Sequence, residues 1–193
     1  MDDRDVRLAN LLGAVATGLT DNDREVASDV ADLDGRAAAA LAALLDFAPS
    51  GTVHKLSQAV GLTHAGGVRL VNRLVRAGYV ERKPGGDARS ISIELTSRGR
   101  GKARQMRKQR HTAITAAMAG LTEDQREHLT TACELVITNL TNQRLTQRAG
   151  GTPPAGGALC RMCDFDACGR TEGRCPAATA AAESNNRRHL GTP

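Results

Sequence analysis

Aromatic side chains are almost missing from this 193-residue chain, which has no Trp, one Tyr (Tyr79) and two Phe (Phe47, Phe165). Any core it builds must be aliphatic, and stacking of unpaired bases on aromatic faces is excluded as a main binding mode. Long apolar runs are missing too. The longest, Ala37–Leu45, is about half of what a membrane span needs. The opening residues Met1-Asp2-Asp3-Arg4-Asp5 have neither the basic nor the apolar region of a signal peptide. A cytoplasmic chain with no membrane partner is therefore expected. No Ser/His/Asp set, phosphate loop or zinc-hydrolase motif is present, so an enzyme is not expected.

What is present is unevenly spread. Residues 1–36 hold nine acids (Asp2, Asp3, Asp5, Asp21, Asp23, Glu25, Asp29, Asp32, Asp34) against four arginines. Residues 51–120 hold fourteen Lys and Arg against three acids (Glu81, Asp87, Glu94). A basic excess of that size in one segment is the footprint of a nucleic-acid face.

The chain divides by pattern. Leu8, Leu12, Val15 and Leu19 recur at spacings of four, three and four, one stripe of a helix. Residues 20–30 are acidic and weakly patterned. A second helix is expected from about Gly35 to Phe47, capped by Asp32 and Asp34 and broken by Ala48-Pro49-Ser50-Gly51. Two short helices follow, Thr52–Val60 and Thr63–Ala77, with Thr52 and Thr63 as N-caps and Gly61 and Gly78 as stops. Their tight junction is the signature of a helix-turn-helix. Tyr79–Lys83 and Ser90–Leu95 read as strands around the turn Pro84-Gly85-Gly86-Asp87, making a hairpin wing. A basic helix begins near Thr96 and ends at Gly120. Thr122-Glu123-Asp124-Gln125 is a capping box opening a last long helix, with Leu129, Cys133, Val136 and Leu140 on one face. The fold class expected is mainly α with a small β-hairpin wing, a winged helix-turn-helix on a helical dimerisation frame. Residues 1–146 form that domain, 147–158 a flexible linker, 159–181 a Cys-rich metal-binding segment and 182–193 a disordered tail.

The run Gly61-Leu62-Thr63, Val68-Arg69-Leu70-Val71-Asn72-Arg73-Leu74, Gly78-Tyr79-Val80-Glu81-Arg82, Asp87-Ala88-Arg89 and Leu95-Thr96-x-x-Gly99 resembles the MarR family of winged helix-turn-helix regulators over roughly residues 5–146. The family pattern is an Arg-Leu-Val-Asp-Arg-Leu recognition helix, a Gly-Leu-Val-x-Arg strand start and an Asp-x-Arg wing tip. Gly66 and Gly67 depart from it, standing where the family carries Ser/Thr and Val. Each glycine costs a helix about 1 kcal/mol, and lets the backbone approach DNA closely.

A helix-turn-helix turns the N-terminal part of its second helix to base edges in the major groove. That puts Thr63, His64, Ala65, Gly66 and Arg69 at double-stranded DNA, with Arg69 able to grip guanine in a bidentate way. Arg73 and Arg76, further along, meet phosphate or pack, and Lys55 and Ser57 are phosphate candidates. The resemblance adds Arg89 as a minor-groove probe oriented by Asp87. It also implies a homodimer built from the first and last two helices, a pseudo-palindromic promoter site, and a small-molecule inducer at the dimer interface.

Four of the five cysteines fall in one 16-residue window: Cys160, Cys163, Cys168 and Cys175, as C-x2-C-x4-C-x6-C. In a reducing compartment such clusters bind metal or do redox chemistry more often than they form disulfides. Zn²⁺ is the first expectation, an iron–sulfur cluster the alternative, and a metal-free thiol switch the third. Arg161, Arg170 and Arg174 would offset the charge of four thiolates. Cys133 is expected on a packing face, or else as a reactive sensor thiol. The function expected is a DNA-binding transcription regulator, a repressor first, tuned by the metal or redox state of the four-Cys site. The rival is a metal- or redox-handling protein that uses the winged helix for protein contacts.

Overall fold

A computed structural model describes residues 2–31, 33–85, 90–152 and 156–190. The described elements are helices α1 (Asp3–Ala31), α2 (Gly35–Ala43), α3 (Val53–Ala59) and α4 (His64–Arg76), strands β1 (Val80–Pro84) and β2 (Ile91–Leu95), then helices α5 (Ser97–Ala117), α6 (Glu123–Ala149) and α7 (Pro176–Leu190). A single 3-10 turn lies at Leu159–Met162.

The caps explain the boundaries. Asp34, Thr52, Thr63, Thr96 and Thr122 each stand at an N-terminus with the side chain accepting a first-turn amide, which satisfies donors the helix cannot. Thr122 and Gln125 complete a reciprocal capping box. Gly61 and Gly78 follow α3 and α4 at φ of 67° and 71°, the left-handed backbone that ends a helix at least cost in glycine. Strands β1 and β2 pair antiparallel with Val80 opposite Leu95 and Arg82 opposite Ile93. The Ile93 N–H also donates to the Gly51 carbonyl (2.9 Å), so a third short segment backs the wing.

The core is aliphatic, as the composition requires. Leu41, Leu56, Leu74, Ile93, Val71 and Val80 are its largest fully buried residues, and the alanines of α2 fill the space between them. The small alanine side chains let α1, α3 and α5 come close to α2. Ala27, Ala103 and Met106 join α1 and α5 to this core.

Three segments are more ordered than their sequence suggests. Residues 20–30, acidic and weakly patterned, belong to the later part of one 29-residue helix. Asp23 pairs with Arg110 of α5 (2.8 Å) and Ala27 is fully buried, so the acidic half is held by the basic helix. The expected linker 147–158 is divided. Residues 147–149 finish α6, and Gly157 and Ala158 lie against α3, while residues 153–155 are outside the described set. The expected disordered tail, as far as residue 190, continues α7, which packs along α6 with Ala177 and Ala180 buried; residues 191–193 lie outside the described ones.

Candidate nucleic-acid interface and cysteine cluster

Helix α4 presents two faces. Gly67, Leu70, Val71 and Leu74 are buried, and Thr63, His64, Ala65, Arg69, Asn72, Arg73 and Arg76 are exposed. Arg69 makes no ion pair or hydrogen bond to another described residue, leaving its guanidinium to solvent. His64 stands with its ring 6.3 Å from that of His54 on α3. Gly66 is half-buried and its amide donates to the Thr63 hydroxyl (3.2 Å). Thr63, His64, Ala65, Gly66 and Arg69 therefore share the first turns of α4. Asp87 and Arg89 lie outside the described residues.

On this face the Ser57 assignment changes, and Arg73 takes the packing alternative. Ser57 is buried, donating to the Val53 carbonyl (2.6 Å), and does not face a phosphate. The cause is Gly67, where a Cβ would overlap the Ser57 hydroxyl. That glycine serves close α3–α4 packing rather than an approach to DNA. Arg73 is tied to Asp34 at the N-cap of α2 (2.6 Å). Burial alone would raise the Asp34 carboxyl, but the Ala37 amide, the Arg73 guanidinium and the Arg36 amide together hold it below its ordinary value. Arg82 of β1 donates to the Asn72 carboxamide oxygen, fixing wing to recognition helix.

The α3–α4 turn is braced from two sides. Arg36 of α2 donates to the carbonyls of Val60 (2.8 Å) and Gly61 (2.9 Å). From the C-terminal segment, the Ala158 N–H donates to the Ala59 carbonyl (2.9 Å). Gly157, at φ 75°, sits so tightly that a Cβ would overlap the Ala59 carbonyl and the Gly61 nitrogen. Arg144 of α6 donates to the Gly157 carbonyl and clamps it there. Nothing in the composition of residues 147–158 signals this strap, because the fit is made by backbone.

The cysteine segment docks on the helical body. Phe165 meets Phe47 edge to face (centroids 6.3 Å apart), and Arg170 lies over the Phe165 ring (4.6 Å). Arg107 of α5 bridges Asp46 (2.7 Å) and Asp164 (3.3 Å) with its side chain largely buried and its Nε without a partner among the described residues. The sequence signal for Arg107 is the spacing 103, 106, 107, 110, the inward stripe of α5.

Cys160, Cys163, Cys168 and Cys175 belong to one apolar cluster with Phe47, Ile137 and Phe165; Cys160 and Cys175 are buried, and the other two half-buried. The Cys168 thiol donates to the Phe165 carbonyl (3.6 Å). The contact with Cys160 and the facing guanidiniums of Arg110, Arg170 and Arg107 bring the Cys163 thiol down to about 7 against the opposing effect of burial. The same contact, with burial, pushes Cys160 up, and burial pushes Cys168 up. Among the described residues no three His, Cys, Asp or Glu side chains are gathered tightly enough to hold a metal ion. Cys133 is exposed on α6.

Beyond these sites, an open groove of about 990 Å³ runs between α5 and α6, lined by the cations Arg104, Arg107, Lys108 and Arg126, with His111 and the Asp164 carboxylate. No helix among the described residues is long and apolar enough to cross a membrane.

The arrangement of α2 to β2 is matched from outside. The MarR family model matches residues 31–90, from the end of α1 to the wing. A MarR family protein from Bacillus stearothermophilus superposes at a TM-score of 0.65 with 22% identity, covering 73% of this chain and 99% of that one. The fold is the MarR winged helix. Wild-type MarR from E. coli, in its apo form, gives 0.55 at 24% identity over 67% of this chain and 95% of that one. A Staphylococcus aureus MepR variant bound to an oligodeoxyribonucleotide gives 0.53 at 16% identity over 69% and 97%. No curated protein sequence matches the chain. The Bacillus protein is used almost whole, so more than a quarter of this chain has no counterpart there, and the family model stops well before the cysteines.

Proposed function

We propose that this chain is a homodimeric transcription regulator, a repressor, that reads a pseudo-palindromic site in double-stranded DNA and is tuned at its four-cysteine segment. The observation that carries the DNA reading is an exposed, uncommitted Arg69 on the outward face of α4, within the fold of MarR-type transcription regulators. The MepR variant bound to an oligodeoxyribonucleotide supports it by analogy of fold. Arg73 acts indirectly, holding α4 to α2 through Asp34.

Support for the dimer comes from the arms. Leu8, Leu11, Leu12 and Val15 of α1 and Leu129, Leu135, Val136 and Leu140 of α6 are exposed. Apolar rows of this length on two helices call for a partner surface, and a second copy offers the same two rows. The cation-lined groove between α5 and α6 is the place for an acidic small-molecule inducer, whose binding would shift the spacing of the two reading heads.

The test is the salt dependence of affinity for a duplex that the full-length protein selects from a random pool. A regulator of this kind loses affinity steeply as salt rises, through counterion release. Sedimentation of the Leu12→Asp, Val136→Asp double variant should give folded monomers. A protein that selects no duplex, or whose arms are indifferent to these charges, has another function.

A further inference from the structure

We propose that Cys160, Cys163, Cys168 and Cys175 form a tetrathiolate metal centre, and that its metal sets the seat of the α3–α4 turn through the strap at Gly157 and Ala158. The consequence for DNA rests on the regulator reading above; the centre and the strap do not.

The donor set is chemically right, four thiols within one cluster, but as placed no three are tight enough to hold an ion, so binding must gather them. All four side chains share one apolar cluster, walled by Phe47, Ile137 and Phe165. Half-buried Cys163 and Cys168 pack against the buried pair Cys160 and Cys175 in that cluster. Turns at Gly169 and Gly173, at φ of 67° and 75°, fold the chain back between the second and fourth cysteines. Four thiolates are charged, and two cations stand beside the cluster: Arg107 pairs with Asp164, next to Cys163, and Arg170 lies over Phe165. Cys175 immediately precedes the 15-residue helix α7, whose amide end favours an anion beside it. Zn²⁺ entering such a set displaces four protons to water and draws the four sulfurs into one tetrahedron. An iron–sulfur cluster, assembled with sulfide, uses the same four thiolates.

The mechanical link is short. Cys160 stands two residues after Ala158, whose amide holds the Ala59 carbonyl at the end of α3. Gly157 abuts Gly61, the pivot between α3 and α4, and Arg144 keeps it in place. The same unit carries Met162 into the main core. Movement of Cys160 and Cys163 on metal binding therefore pulls on the one backbone bridge that touches the turn. Without metal the strap loosens, and α4 loses a brace behind its first turns.

The test uses full-length protein purified without oxygen or chelator. Zinc, iron and acid-labile sulfide are counted per chain, before and after adding Zn²⁺. Either one zinc, or iron with matching sulfide, is expected, and its loss in the Cys168→Ser, Cys175→Ser double variant. Neither metal, with no uptake of added Zn²⁺, overturns the centre. Amide exchange across residues 59–66 then reads the strap with no DNA present. In the wild type, removing the metal should speed exchange there by about tenfold, a usual size for coupling between sites. Gly157→Ala, and the sterically mild Arg144→Ala, should keep the metal and abolish that response. A turn in either variant that still answers to metal as the wild type does overturns the strap. Affinity for the selected duplex is read separately; if it is absent while metal and exchange behave as stated, the DNA reading has failed and the coupling stands.

Discussion

The recognition helix and the cysteine segment are both held in place, but by opposite means. Helix α4 is seated by large aliphatics, Leu70, Val71 and Leu74, pressed into a core of other aliphatics. The cysteine segment lacks large buried aliphatics, and besides Met162 and the alanines of α7 it is seated by an aromatic contact, an arginine between two aspartates and a backbone strap. Burial of aliphatics is insensitive to salt, redox state or metal, whereas polar ties and thiols answer to all three. The difference teaches where this molecule is built to stay fixed and where it is built to respond.

That contrast can be broken from either side. Leu74→Ala removes a fully buried side chain from the middle of the aliphatic core. It should cost about 3 kcal/mol, seen as a lower midpoint in urea for the whole domain. Asp46→Ala should cost about 2 kcal/mol, less than the loss of a fully buried pair. It strips Arg107 of its shorter contact and the Phe165 amide of its acceptor. Its signature is local: protease should cut after residue 156 while the winged helix stays resistant. Equal cutting of both regions would show that they are one cooperative unit.

Asp34→Ala is the smallest of the three, costing about 1 kcal/mol through the lost cap of α2. Its pH dependence sharpens the comparison. The Asp34 carboxyl is held below its ordinary value in the fold, so its ionised form favours the native state. That contribution is complete above about pH 4, the unfolded value, and fades as pH falls through the lower folded value. The wild type should therefore lose stability on acidification faster than Asp34→Ala, read from unfolding midpoints across the acid range. Parallel acid limbs in the two proteins would remove Asp34 from the account.

The same division explains what could be read from the sequence. Thr52, Thr63, Thr96 and Thr122 act within three residues of themselves, so their caps and helices were legible locally. The apolar rows on α1 and α6 were legible by period, and most of their side chains lie exposed. The burial of Ser57 was not legible, because it depends on Gly67 ten residues on. The second half of α1 escaped for a similar reason, since Asp23 finds its partner, Arg110, on α5. For Arg73 the sequence left phosphate contact and packing both open, and its partner Asp34 lies 39 residues back, beyond any local pattern. The cysteine spacing announced a cluster, and the four thiols do share one. Its docking rests on Phe47, Asp46 and Arg107, more than fifty residues away in sequence, and no local pattern encodes that. The strap was read as a flexible linker, because glycine-rich composition signals freedom even where the backbone is pinned.

The most direct measurement of the central claim is the affinity of Arg69→Ala for the duplex the wild type selects, at fixed salt. The account predicts a loss of roughly tenfold to a hundredfold, the worth of one bidentate base contact, with an unchanged unfolding midpoint. An affinity equal to that of the wild type would mean that α4 does not read DNA through its exposed arginine.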